Sequence, residues 1–282
     1  MRYGFVLPGG DPLACAGLAA EAEAAGWDGV FVPDAISIET EAVPPAPFHD
    51  PWVTLAAMAT RTTSARLGTM ITPLPRRRPW KLARETVSLD HLSGGRVILA
   101  AGLGAAADDA GFYKVGEAMD IRIRAAMLDE GLEVLAGLWT GRPVSFHGRY
   151  YDVQGMTLLP PPVQTPRIPI WVVGVLQSSR SLARALRWDG VVLQKGTAAG
   201  GGAIVPSEVA EVKQMAMERR AQDAPFAIVL EGETPGGNAR EATAIVRPFA
   251  EAGITWWLES RWTAPGGLSD VRRRIAQGPP RA

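Results

Sequence analysis

The stretch RLGTMITPLPRRRPWKLARETVSLDHLSGGRVILAAGLG, residues 66–104, reads as one complete turn of a repeating fold. Leu67 to Ile71 is a short apolar run of strand type, and the prolines that follow it forbid its continuation. A helical segment then runs to Ser93-Gly94-Gly95, where glycine accepts the left-handed conformation of a helix C-cap. Val97 to Ala101 is again continuously apolar, as suits a strand buried on both faces of a parallel sheet. Arg76, Arg77 and Arg78 fall in the strand-to-helix loop. Adjacent side chains rarely aim at one ligand, so at least two of the three read as solvated charge.

Outward from this unit the same alternation recurs. Eight strands are predicted near Tyr3–Leu7, Val30–Val32, Leu67–Ile71, Val97–Ala101, Ile170–Val173, Val191–Leu193, Phe226–Leu230 and Trp256–Glu259. Short apolar strands separated by helices point to a closed (β/α)8 TIM barrel, class α/β. No linker or composition break divides the 282 residues, so one domain, 1–282, is expected. Gly141 to Arg167, with FHGRYYDV and LLPPPVQTPR, interrupts the pattern before the fifth strand. It reads as an inserted hairpin and extended return segment at the bottom face, with a structural role. Asp50-Pro51 offers an N-cap with proline at the first helical position. The helix after it, WVTLAAMA, is apolar nearly all round, which predicts a covering surface and, most simply, a homodimer.

Composition narrows the partners. Basic and acidic side chains number 29 each, so no net field recruits nucleic acid or an anionic membrane. The longest uncharged apolar run, Val97 to Ala107, is too short to span a bilayer, and the N-terminus lacks the apolar segment of a secretory signal. A soluble cytoplasmic protein is expected. The lone cysteine, Cys15, provides neither a disulfide nor a thiolate cluster for a metal, and reads as inert helix packing.

In such barrels chemistry sits in loops that follow strands. That rule places Asp34, Thr72–Arg78, Gly102–Gly116, Gly174–Arg180, Gln194–Val205, Glu231–Asn238 and Glu259–Gly267 at the mouth. His91 and His147 fall elsewhere; only His49 has a view of the pocket, and a loop-packing role competes with that of a base. No HExxH, GxSxG, CxxC or Walker loop occurs, and Gly102-Leu103-Gly104 is a fragment of a dinucleotide fingerprint in the wrong place. A mouth so poor in acids, bases and metal ligands borrows its chemistry from a cofactor.

The run DPWVTLAAMATRTTSARLGTMITPLPRRRPWKLARETVSLDHLSGGRVILAAGLG, with FHGRYYDV, IPIWVVG and RWDGVV after it, closely resembles the bacterial luciferase-like superfamily of flavin-dependent oxidoreductases. The resemblance spans nearly the whole chain. It implies a barrel that holds reduced FMN or the deazaflavin coenzyme F-420 across its top. FMN members commonly activate O2 to oxygenate a small organic substrate; deazaflavin members transfer hydride. The resemblance further implies a non-prolyl cis peptide at Met70-Ile71 behind the ring, with Thr72 contacting the ring's polar edge. Asp34 matches the polar residue after the second strand. Leu103-Gly104 matches the segment along the ring or ribityl chain, with Asp108 and Asp109 near it. Gly174 matches a glycine that lets the cofactor tail approach. Ser178, Ser179 and Arg180 at a helix start, or Gln194-Lys195-Gly196 after the sixth strand, are candidates for its phosphate. Lys195 is favoured over the arginine run, against the alternative of a solvated lysine in a glycine-rich loop.

Two departures bear on the reaction. The histidine and glutamate that many deazaflavin dehydrogenases of this family carry are replaced by Ala35 and Ala105. The leading expectation is therefore a luciferase-like monooxygenase using reduced FMN and O2, supplied by a separate flavin reductase, with Asp34 and His49 as catalytic candidates. A deazaflavin-dependent oxidoreductase is the alternative, and a flavin-binding protein without turnover the second alternative. Met70, Phe112, Tyr113 and Trp262 are expected to line an apolar substrate wall, and Thr197–Ile204 has the glycine content of a lid.

Overall fold

A computed structural model describes residues 1–37, 47–104, 111, 113–196, 202–221, 224–262 and 266–280. The chain begins with β1 (Arg2–Val6), α1 (Pro12–Ala24), β2 (Gly29–Val32), α2 (Pro51–Ala59), β3 (Arg66–Thr69), the two-residue β4 (Thr72–Pro73), α3 (Pro79–Ser93) and β5 (Val97–Gly102). It continues through α4 (Ile121–Leu138), β6 (Val144–His147), β7 (Asp152–Met156), β8 (Ile170–Val175), α5 (Ser179–Ala185) and β9 (Gly190–Gln194). The last elements are α6 (Pro206–Arg219), β10 (Ala227–Gly232), α7 (Ala239–Ala252), β11 (Trp256–Ser260) and α8 (Leu268–Ala276).

Nine strands share one sheet, in the order β3-β2-β1-β11-β10-β9-β8-β5-β4, and a β3–β5 pairing joins its ends. Because β4 prolongs β3 beyond the bend at Met70-Ile71, eight positions encircle the axis, and every pairing around it is parallel. This is the expected (β/α)8 barrel. At the β3–β5 seam a Cβ on Gly68 would collide with the Ile98 carbonyl oxygen, so the closure itself demands glycine there. The helix ends follow their sequence signals. Asp50 accepts the N–H groups of Trp52 and Val53, and Gly94 closes α3 at φ 65°.

Strand parity splits the core into two. Phe31, Met70, Ile98, Trp171, Val229, Trp256 and Leu258 fill the barrel axis, while Trp257 packs in the outer layer beneath the helices. The two adjacent tryptophans thus point oppositely, as a strand requires. The inserted β6–β7 hairpin is antiparallel. Its return segment is tied to the end of α3: Asp90 accepts the N–H groups of Val163 and Gln164, and a His91 ring nitrogen pairs with the Pro161 carbonyl. One sequence argument loses its premise. The apolar helix α2 is covered by α1 and α3 of the same chain, leaving only Val53 as a large exposed apolar side chain on it, so this helix supplies no reason for a second subunit.

The bottom face carries a pH-dependent fastening. Glu23 on α1 accepts the N–H groups of Thr63, Ser64 and Ala65, which lead into β3. Burial acts to raise its pKa, but these bonds and the Ser64 hydroxyl outweigh it and hold the carboxyl at about 2. A depressed folded-state pKa adds stability above the ordinary value of 4.5, and that stability is lost as pH falls toward 2. Glu23→Gln is expected to cost about 1–2 kcal/mol at pH 7, allowing for partial exposure. In thermal unfolding followed by circular dichroism, the gap between variant and wild type should narrow through that acid window.

Candidate active site

The C-terminal ends of the strands define a shallow mouth whose floor and rim differ in chemistry. Ile71 and Val173 pack on the axial core yet remain partly exposed, giving an apolar floor. Gly102 makes that floor possible, because a Cβ there would lie 2.7 Å from Ile71 and 2.9 Å from Val173. Gly104, at φ 84°, turns the chain out of β5. Met70 is buried in the core just below, and the Met70-Ile71 peptide is cis, as the resemblance implied. A flat ring with apolar faces and polar edges fits such a floor.

Several candidate residues prove to be engaged in the wall. Thr72 is fully buried, and its hydroxyl bonds Thr69 at 2.6 Å rather than reaching the mouth. The vacant side of Gly174 faces Val191 and Leu182, so this glycine serves the seating of α5 on the barrel rather than a cofactor tail. Leu103 packs against the outer core, and its carbonyl accepts a bond from Arg124. Ser178 is the N-cap of α5, its hydroxyl accepting from Ser181 N–H. Ser179 and Arg180 are exposed. Lys195 pairs with Glu208 at 2.8 Å and with the Ala203 carbonyl, which neutralises the expected phosphate ligand. Gly196 N–H bonds the Gln177 side chain, linking the loops after β8 and β9, and Gln194 is exposed at the end of β9. Asp108, Asp109, Ala105 and Phe112 lie outside the described residues, as does most of the proposed lid.

The arginine cluster corrects the sequence reading. Arg76 and Arg77 are not solvated: both clamp Asp34, whose side chain is 0 % exposed, through charge-assisted bonds to its two oxygens. Only Arg78 is exposed. Asp34 therefore holds the connections after β2 and β4 together, with both of its oxygens taken up by charge-assisted bonds. His49 is exposed on a cleft lined by Gly9, Gly10, Val32, Pro33, Phe48 and Thr54. Cys15 borders the same cleft, but burial, then the Asp11 charge, pushes its thiol up to about 11, so it stays protonated and unreactive. Glu259, placed at the mouth by sequence, is buried on the outer face of β11 against Arg274 and Thr234.

The strand-end rule places Glu231 at the mouth but gives it no role. It shares parity with Ala227 and Val229, both of the axial cluster, and pairs in register with Leu258. Its carboxyl stands at the top of the axis beside Ser260 and accepts the Trp262 indole N–H at 3.2 Å. Burial raises its pKa above the ordinary carboxylate range, partly opposed by Trp262 and then Ser260. The signal was present: AIVLEG continues the period of two by one residue beyond the apolar run. Among the described residues no group of three or more His, Cys, Asp or Glu side chains is arranged to hold a metal ion, and no helix is long and apolar enough to cross a membrane.

Comparison with known proteins agrees with this geometry. A family model described as luciferase-like monooxygenase matches residues 7–263. An uncharacterized protein of Mycobacterium tuberculosis is 32 % identical over 261 residues, covering 85 % of each chain. An F420-dependent glucose-6-phosphate dehydrogenase of Gordonia bronchialis is 34 % identical over 165 residues, 57 % of this chain and 47 % of that relative, so the match spans about half of its length. Among solved structures, the oxygenating constituent of 3,6-diketocamphane monooxygenase of Pseudomonas putida, in complex with FMN, superposes with a TM-score of 0.69 at 14 % identity over 98 % and 96 % of the two chains. That last likeness concerns the fold alone.

Proposed function

Because the chain belongs to the luciferase-like monooxygenase family, we propose that it is an oxidoreductase that binds coenzyme F-420 over the barrel mouth and acts on a small organic substrate. The observation that carries the reading is the floor itself: a partly exposed apolar surface of Ile71 and Val173, kept open by glycine, with the Glu231 carboxyl at the top of the same axis. F-420 is favoured over FMN because relatives whose names state a cofactor, at 31–34 % identity over part of the chain, are F420-dependent. When bound, this cofactor supplies a two-electron hydride exchange. The protein's part is then to seat the ring on Ile71 and Val173, to exclude water, and to manage the accompanying proton. A second reading, an FMN-dependent monooxygenase, is favoured by Ala35 and Ala105, which remove a familiar proton-transfer pair.

We assign the cofactor phosphate to Arg180, exposed in the first turn of α5 after β8; of the other candidates, Lys195, Arg76 and Arg77 are already paired with carboxylates, and Arg78 is exposed on the connection into α3. Anaerobic titration with F-420, FMN and riboflavin tests both assignments. F-420 is expected to bind most tightly. Arg180→Ala should weaken both phosphorylated ligands about 10-fold, the worth of one charge-assisted contact, while leaving riboflavin unchanged. Tight FMN binding with oxygen consumption in the presence of a reductase would move the assignment to the second reading. An equal loss for riboflavin would place Arg180 elsewhere.

A further inference from the structure

We propose that Glu231 is the proton-transferring residue of this site, acting on a substrate that carries a polar double bond, a carbonyl or imine in one direction and the corresponding alcohol or amine in the other. The proposal rests on the reading of the mouth as a hydride-exchanging site and supplies what that reading lacks. By the resemblance given with the sequence, Ala35 and Ala105 take the places of a histidine and a glutamate that would move the proton. Glu231 enters from a different strand, β10, at the same end of the barrel.

Geometry gives the carboxyl its orientation. Parity on β10 puts it on the axis above Val229, and the Trp262 indole N–H holds one oxygen, Oε2, at 3.2 Å. Ser260, the last residue of the neighbouring strand β11, is the carboxyl's second hydrogen-bond donor, and Glu231 as a whole remains partly exposed at the mouth. Glu233 apart, the charged groups described beside it on the neighbouring elements are engaged with something else. On β11, Glu259 points to the outer layer, where it meets Arg274 and Arg261. After β9, Lys195 is paired with Glu208. Three strands round the barrel, Asp34 is held by Arg76 and Arg77. Glu233, further along the same connection, is exposed. The perturbation of Glu231 accordingly comes from burial and two neutral donors, Trp262 and Ser260. A carboxyl in such surroundings keeps its proton to a higher pH, which is what a general acid needs near neutrality.

The step balances. Reduction of a carbonyl takes one hydride, from a reduced deazaflavin, and one proton, from Glu231. The C=O π bond breaks, C–H and O–H bonds form, and Glu231 is left as a carboxylate that regains its proton from solvent. The reverse direction oxidises an alcohol, with Glu231 as base.

The test compares wild type, Glu231→Gln and Glu231→Asp. Without cofactor, Trp262 emission should show a titration step above pH 4.5 in wild type and Glu231→Asp that is absent from Glu231→Gln. With reduced F-420 under anaerobic conditions and a panel of ketones and aldehydes, single-turnover hydride transfer should fall at least 100-fold in Glu231→Gln, the usual worth of a general acid. Deazaflavin affinity should stay unchanged, and the wild-type decline at high pH should disappear. Glu231→Asp should recover part of the rate. Unchanged hydride transfer in Glu231→Gln, or the same tryptophan titration in all three proteins, would overturn the role. Failure of the wild-type protein to bind either ring would instead overturn the reading of the mouth, and the role with it.

Discussion

Replacing Glu259 by alanine is expected to destabilise the barrel by about 3–5 kcal/mol, the usual consequence of removing one partner of a buried ion pair. Its carboxylate is 0 % exposed and accepts from Thr234 N–H at 3.0 Å, Thr234 hydroxyl at 2.7 Å and Arg274 Nε at 3.1 Å. Arg274 is itself 3 % exposed, bonded also to the Gly278 carbonyl and stacked over Trp27. Alanine would strand that guanidinium in the packed layer between β11 and α8 with no water to replace the lost charge. For a chain of this size about 3 °C accompanies each kcal/mol, so the midpoint should fall by roughly 10 °C. Glu259→Gln should lose less, because an amide oxygen still accepts from Thr234. Replacing both partners, as Glu259→Leu with Arg274→Met, should recover most of the loss, since two apolar groups leave nothing unpaired. A midpoint for Glu259→Ala within a degree of wild type would mean that the network carries no net stability.

Glu259 and Glu231 show what strand parity reveals and what an apolar run hides. Both acids sit at the ends of strands that were legible as strands, and the sequence rule for top-face loops assigned both to the mouth. Two-residue periodicity alone sends them to opposite sides, Glu231 inward with Val229 and Glu259 outward with Trp257. The eight strands, the hairpin insertion and the capped ends of α2 and α3 were readable because they depend on neighbours close in the chain. The arginine run was misread for the opposite reason. Its counter-charge, Asp34, lies 42 and 43 residues away, and only closure of β2 against β3 brings them together. A glycine at a strand end has two sides, and sequence does not say which one is crowded; at Gly174 it is the side of Val191 and Leu182. The bend at Met70-Ile71 came from family likeness and from nothing in the local residues, which read as core filler.

Asp34→Ala is the second change with a large expected effect, and it separates the catalytic role expected from sequence from the clamp seen in the structure. Asp34 was read as a catalytic candidate, yet its side chain is 0 % exposed while those of Arg76 and Arg77 are 5 % and 18 % exposed. Two guanidiniums that close together depend on the carboxylate between them. Its loss should cost about 3–5 kcal/mol and loosen the connection that leads from β4 into α3. Because that connection follows the Met70-Ile71 bend under the ring floor, cofactor affinity should fall along with stability. A catalytic Asp34 predicts something different: Asp34→Asn, nearly the same shape, would abolish turnover while leaving unfolding and ring binding untouched. A clamp predicts that Asp34→Asn lowers both in proportion, and that adding Arg76→Met and Arg77→Leu to an Asp34→Leu background restores the midpoint by removing the stranded charges. Thermal unfolding and anaerobic deazaflavin titration on the same four proteins decide between them. Restoration of both stability and binding in the triply apolar protein would show that the clamp shapes the mouth and takes no part in the chemistry above it.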